Sequence, residues 1–196
     1  VIFKGVVFMP AQTVFTKEMI IDAAFKIACE EGFEHMTIRH IAKRMGSSIA
    51  PIYVNFNHVE ELKHAVMEKA QRIYHEMILD AKHEDPFLRY AIASMAFNKK
   101  YPKIYQTFLL DEDDPISSEK NVKKMIDTIL NNEQYNTLDK DSVMKFIISM
   151  QALQVGLSIM SKKSYYASFL SDEEMIQILD DHGEAIIKSL LDKTDN

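Results

Sequence analysis

Between Thr37 and Phe56 the chain reads TIRHIAKRMGSSIAPIYVNF, and this stretch leaves few choices for the fold. Ile38, Ile41, Ala42 and Met45 recur at helical spacing behind Thr37, whose hydroxyl can take a first-turn N–H that lacks an intrahelical partner. Gly46 follows at once. Glycine enters positive φ without steric cost, so Met45-Gly46 is expected to reverse the chain between two helices. Ser47 or Ser48 is expected to cap the next helix, from Ile49 to about Asn55, with Pro51 in its first turn, where a missing N–H has no partner to lose. So short a helix is marginal alone, and Ile52 and Phe56, at i and i+4, are its predicted anchors. The face carrying Ser48, Ala50, Pro51, Tyr53 and Asn55 stays free, and no Asp, Glu, Lys or Arg occurs from Met45 to Val59.

The stretch resembles the N-terminal DNA-binding domain of TetR/AcrR-type transcriptional regulators. The likeness is carried by Thr37-Ile38-Arg39-His40-Ile41-Ala42, the turn Met45-Gly46-Ser47-Ser48, Ile52-Tyr53-Val54-Asn55-Phe56 and the helix start His58-Val59-Glu60-Glu61-Leu62. It covers the first third of the chain closely and the remainder in layout. The resemblance implies a homodimer that binds a palindromic double-stranded DNA operator and is released by a small lipophilic effector. The residues expected at DNA are Thr37, Arg39, Lys43, Ser47, Ser48, Ile49, Ala50, Pro51, Tyr53, Asn55 and His58. Ala50 or Pro51 suits thymine methyls, Ser48 suits base edges, and Tyr53 and Asn55 suit phosphate oxygens. Arg39, Lys43 and Arg44 cluster on the preceding helix and would supply a local positive field. Two departures stand out. His58-Val59 replaces the usual Ser-Lys, removing a lysine that commonly touches phosphate, and Val54-Asn55 leaves Tyr53 as the single phenol. Asn57, three residues before Glu60, predicts a capping box.

Few breakers interrupt the rest: 5 glycines and 5 prolines in 196 residues, of which 47% are apolar. The chain therefore reads as all-α, with a three-helix helix-turn-helix domain over 1–62, including an arm over 1–15, and a helical bundle over 63–196. About nine helices are expected in all. The apolar start Val1 to Met9 is too short to span a bilayer and lacks the charged start of a secretory signal; no membrane partner is expected. The lone Cys29 excludes an intrachain disulfide, fits a reducing cytoplasm and reads as a small core filler. The net charge of -6 arises mainly beyond Leu62, including the run Asp111-Glu112-Asp113-Asp114, while charges nearly balance before it.

Helical stripes continue from His64 to about Lys82, from an Asp85-Pro86 start to a break at Tyr101-Pro102, through Ile104 to Leu109, and from Ser117 or Ser118 onward. The resemblance implies a ligand cavity here, for which Tyr90, Met95, Tyr101, Tyr105, Phe108, Met125 and Met150 are the candidate lining. Plain core packing is the competing reading for each. Two long apolar helices close the chain, from Asp141 to about Ser161 and from Ser171 to about Leu191; the resemblance places a dimer interface on them, at Phe146, Leu153, Leu157, Met175, Leu179 and Ile186. Gly156 would permit close helix approach. No enzyme, metal or cofactor is expected: the histidines lack metal-ligand spacing, the cysteine has no histidine near it, and no phosphate-binding glycine loop occurs. The alternative function is a helical regulator without a small ligand, or an interaction module controlled by a protein partner.

Overall fold

The computed structural model describes residues 15–110, 119–133 and 136–194. The expected arm up to residue 14, the Asp111 to Asp114 run and the Ser117/Ser118 helix start lie outside these. Among the described residues there are ten α-helices and no strand: α1 (Lys17–Glu30), α2 (Ile38–Met45), α3 (Ala50–Asn55), α4 (Val59–Asp80), α5 (Pro86–Lys100), α6 (Pro102–Leu110), α7 (Glu119–Leu130), α8 (Lys140–Met160), α9 (Ser164–Ala167) and α10 (Asp172–Thr194). The helix beyond the expected nine is α9, a four-residue turn with no side-chain cap and no buried residue.

Most helix starts rest on local chemistry. Thr16 accepts the Met19 N–H at 3.2 Å. Asp85 accepts the Phe87 and Leu88 N–H groups at 2.6 and 3.1 Å, with Pro86 just inside the helix. Asp139 accepts the Ser142 N–H at 2.9 Å. Ser171 and Glu174 form a reciprocal capping box, each side chain accepting the other's N–H at 3.2 and 2.9 Å.

The buried side chains fall into two cores. The first joins α1, α2, α3 and the first half of α4 to Phe97, Ile104, Tyr105 and Phe108 from the end of α5 and from α6. The second joins the start of α5 to α7, α8 and α10. The expected boundary at 62/63 falls inside α4, which runs unbroken for 22 residues, and α6 packs with the N-terminal helices. At the α8–α10 contact, Gly183 faces Met150 and Phe146, and a Cβ there would make ordinary contact with Met150 Cε at 3.5 Å.

Helix α8 is long and apolar enough, by length and composition, to cross a bilayer, and 39% of its apolar window is buried. Its composition reflects two apolar faces. Val143, Phe146, Ile147, Met150 and Leu157 point into the second core, while Ile148, Ala152, Val155 and Ile159 form an outward row at i, i+4, i+7 and i+11.

Candidate nucleic-acid interface and ligand cavity

The turn between α2 and α3 is built as the spacing requires. Thr37 Oγ1 accepts the His40 N–H at 3.2 Å. Gly46 sits at φ 66, ψ 30, in the left-handed region, and the Ser47 N–H closes onto the Ala42 carbonyl at 3.0 Å. A Cβ at Gly46 would meet no atom within 4 Å, so a substitution there is strained by its backbone alone. Gly46→Ala is expected to cost about 1–2 kcal/mol, read by urea denaturation; an unchanged midpoint would mean the turn relaxes.

Neither serine caps α3. The Ser47 hydroxyl donates to the Ser48 carbonyl at 2.9 Å, and the residue before the helix is Ile49, already in the right-handed helical region at φ -72, ψ -18. An extended residue is needed for a side chain to fold back onto the first N–H groups. The helix is held from below instead, by Ile52 and Phe56, at 0% and 1% exposure. The Lys17 ammonium lies 4.9 Å from the centre of the Phe56 ring.

The outward face of this unit gathers most of the expected DNA contacts. Ser48, Ile49, Ala50 and Tyr53 are exposed, as are Thr37 at the cap of α2, Arg39 and Lys43 within it and His58 before α4; Ser47 and Pro51 are half-buried. Asn55 is half-buried and its amide donates to the Pro51 carbonyl at 2.8 Å, which gives that side chain a role within its own helix. Val54, 84% exposed, shares the face and was not anticipated; a β-branched residue on a chargeless surface helix is the signal that marks it.

The basic cluster is smaller than the three cations on α2 suggest. Arg44 pairs with Glu30 and, at 3.8 Å, with Glu31, so it ties α2 to the end of α1. His40 joins the same knot, with Nε2 3.3 Å from the Glu31 carboxylate. Arg39 and Lys43 are left outside it. At the start of α4 the Asn57 N–H and side-chain amide both donate to Glu61, at 3.0 and 3.2 Å, where Glu60 was the expected partner. The helix begins at Val59, so the third helical position falls on Glu61. The Asn57 backbone bond lowers the Glu61 carboxyl pKa below its usual range.

Cys29 is half-buried against the first core, and burial followed by the nearby Glu30 pushes its thiol up to about 11 from 9.0. Near neutral pH the thiolate is thus about a hundredfold scarcer than for a free cysteine. Alkylation of the folded protein near neutral pH is expected to lag that of the unfolded chain; equal rates would place the sulfur in solvent.

A half-open cavity of about 590 Å³ lies between α4, α5, α7 and α8. Tyr74, Ile78, Tyr90, Val122 and Met125 give it an apolar lining, and Glu68, Arg72, His75, Glu76, Lys124 and Gln151 a polar one. Of the seven residues expected there, Tyr90 and Met125 line it. Tyr101, Tyr105 and Phe108 pack in or against the first core, Met150 is fully buried in the second, and Met95 lines a separate groove with Lys99 and Asp172. Burial raises the Tyr90 phenol pKa. The polar face of α4, which supplies Glu68, Gln71, Arg72, His75 and Glu76, carries no aromatic or thioether signal by which the sequence would mark a cavity.

Four of the six residues expected at a dimer interface also sit inside, and two are half-buried. Phe146, Leu157, Met175 and Leu179 are buried in the second core of their own chain, and Leu153 and Ile186 are packed against it. Among the described residues no group of three or more His, Cys, Asp or Glu is arranged to hold a metal.

This geometry defines an all-helical protein with a helix-turn-helix DNA-reading unit joined to a helical bundle. Residues 20–66 match the family model of bacterial regulatory proteins, tetR family, and the chain therefore carries the DNA-binding domain of tetR-family transcriptional regulators. Solved structures similar to it over most of the chain include two regulators. A transcriptional regulator from Rhodococcus sp. Rha1 superposes with TM-score 0.59 at 18% identity, covering 90% of this chain and 96% of that one. A TetR variant from Acinetobacter baumannii AYE in complex with minocycline superposes with TM-score 0.57 at 16% identity, covering 89% and 96%. No curated protein matches the chain.

Proposed function

We propose that the chain is a homodimeric repressor that binds a palindromic operator and is released by a small molecule held in the cavity beside α4. The observation that carries the DNA reading is the chargeless outward face of α3, flanked by the uncommitted cations Arg39 and Lys43. A short uncharged helix can approach base edges closely, with Ser48, Ala50 and Pro51 placed to select sequence and Tyr53, Arg39, Lys43 and His58 placed to hold phosphates. Thr37, Ser47 and Ile49 border that contact, and Asn55 supports it from within the helix.

Dimerisation follows from the reach of one such unit, which reads too few bases alone. The outward row on α8 supports a second copy as its cover: Ile148, Ala152, Val155 and Ile159 lie in line, and beyond its own helix backbone no atom of the described residues stands within 4 Å of a Cβ built at Gly156. A two-fold pair of such rows would space two readers for a symmetric operator. The cavity volume lies in the range of small-molecule sites, and its mixed lining suits a ligand less purely lipophilic than the aromatic content of the chain suggests. A ligand preferring one of two arrangements of the bundle by about 1–3 kcal/mol shifts operator affinity about 5- to 150-fold.

The test is gel retardation against random duplex with recovery of the bound sequences. Arg39→Ala is expected to weaken binding across all recovered sequences and to lower the salt slope by about one. Tyr53→Ala is likewise expected to weaken it irrespective of sequence, whereas changes at Ser48 or Pro51 alter which sequences are recovered. If no duplex is retarded by the dimer, the reading fails.

A further inference from the structure

Resting on the reading that the cavity is coupled to the DNA-reading unit, we propose that its state is relayed to α1 through a chain of rings at the α5–α6 corner: Tyr74, Phe97, Tyr101 and Phe25. Tyr74 lines the cavity from α4. Its ring meets Phe97 of α5 edge-on, with centroids 5.6 Å apart. Phe97 meets Tyr101 at 5.1 Å, and Tyr101 meets Phe25 of α1 edge-on at 5.6 Å. Phe97 has no exposed surface and stacks on Phe108 of α6 at 5.6 Å, so it has no slack to absorb a push from Tyr74.

Tyr101 sits where such a push can become movement. It lies between α5 and α6 at φ -132, ψ 57, outside either helix, so the two segments can turn about it without breaking a helical ladder. The next turn carries a parallel tie: Lys103 Nζ donates to the Glu31 carbonyl at 3.0 Å, at the end of α1, and the Glu31 side chain holds His40 and Arg44 of α2. A shift of the corner thus reaches both helices that frame α3.

Helix α4 alone is a poorer messenger. Lys69 on α4 pairs with Asp22 and lies 5.3 Å from the centre of the Phe25 ring, so α1 and α4 are braced as one body. The corner approaches the same ring from α5 and α6, and its movement against that body changes the packing at Phe25. Close-packed contacts of this kind switch between discrete arrangements.

The proposal is tested in the full-length protein by amide hydrogen exchange, comparing α1 amides (Ala24 to Cys29) with α8 amides (Ile147 to Met150) as the internal reference. Tyr74→Ala is expected to lower α1 protection about tenfold relative to α8; in the Tyr101→Leu background the same change is expected to add less than about twofold, and in Tyr101→Phe, which keeps the ring, about tenfold again. Tyr101→Met replaces the leucine variant should the latter lose helix content. An equal loss in the ring-keeping and ring-lacking backgrounds, or none from Tyr74→Ala alone, overturns the relay. Gel retardation with the same proteins separates the two readings. Coupled exchange in a protein that binds no duplex supports the relay and removes the regulator; duplex binding with additive exchange effects removes the relay alone.

Discussion

The double variant Ile148→Glu/Ile159→Glu is expected to sediment as a monomer and to lose at least about a hundredfold in operator affinity, with its helix content unchanged. Both side chains lie on the outward row of α8, 58% and 53% exposed, so glutamate is well solvated there in the isolated chain. In a two-fold contact the same four carboxylates would face one another in a dry interface, at a cost of several kcal/mol. Each 1.4 kcal/mol is about a factor of ten in association, so the pair separates at working concentrations. A lone subunit keeps its reader but loses the second half-site, and affinity drops accordingly. Sedimentation and retardation on one preparation check the two halves together. A variant that remains dimeric and binds tightly would move the contact between copies elsewhere.

Phe56→Ala is expected to destabilise the N-terminal core by about 3–5 kcal/mol and to abolish retardation. Phe56 is 1% exposed, at the end of α3, and with Ile52 it anchors a helix of six residues that has no side-chain cap. Removing the ring leaves a void under α3 and frees Lys17 from its aromatic partner. Phe56→Leu keeps most of the volume and is expected to recover most of the stability. Denaturant unfolding followed by circular dichroism measures both, and near-wild-type stability in the alanine variant would mean that α3 is held by other contacts.

Much of the reading unit was legible because its constraints are local. A threonine cap, a glycine at positive φ and a proline in a first turn act within a few residues of themselves, so Thr37, Gly46 and Pro51 announce α2 and α3 unaided. The helix periods of α5, α8 and α10 were legible for the same reason. Orientation was not. Periodicity states that Phe146 and Ile148 lie on different faces of α8, but which face meets α10 depends on helices distant in sequence, so Phe146, Leu157, Met175 and Leu179, interface candidates chosen for apolarity, lie in the chain's own core. The cavity failed in the complementary way: aromatic residues drew attention to Tyr101, Tyr105 and Phe108, whereas α4 contributes Glu68, Arg72 and Glu76, whose charges suggest open solvent. Long-range ion pairs were equally invisible, since the Glu30–Arg44 contact joins residues 14 positions apart.

With Arg44 paired to Glu30 and Glu31 at the surface and lysine absent before Glu60, the described face of the proposed reader offers few free cations to displace the ions condensed on a duplex. Each phosphate neutralised contributes about -0.9 to the slope of log K against log salt. Binding through this described face should therefore release few counterions and decline gently as ionic strength rises, leaning more on shape and apolar fit in the groove than on bulk attraction to the phosphate rail.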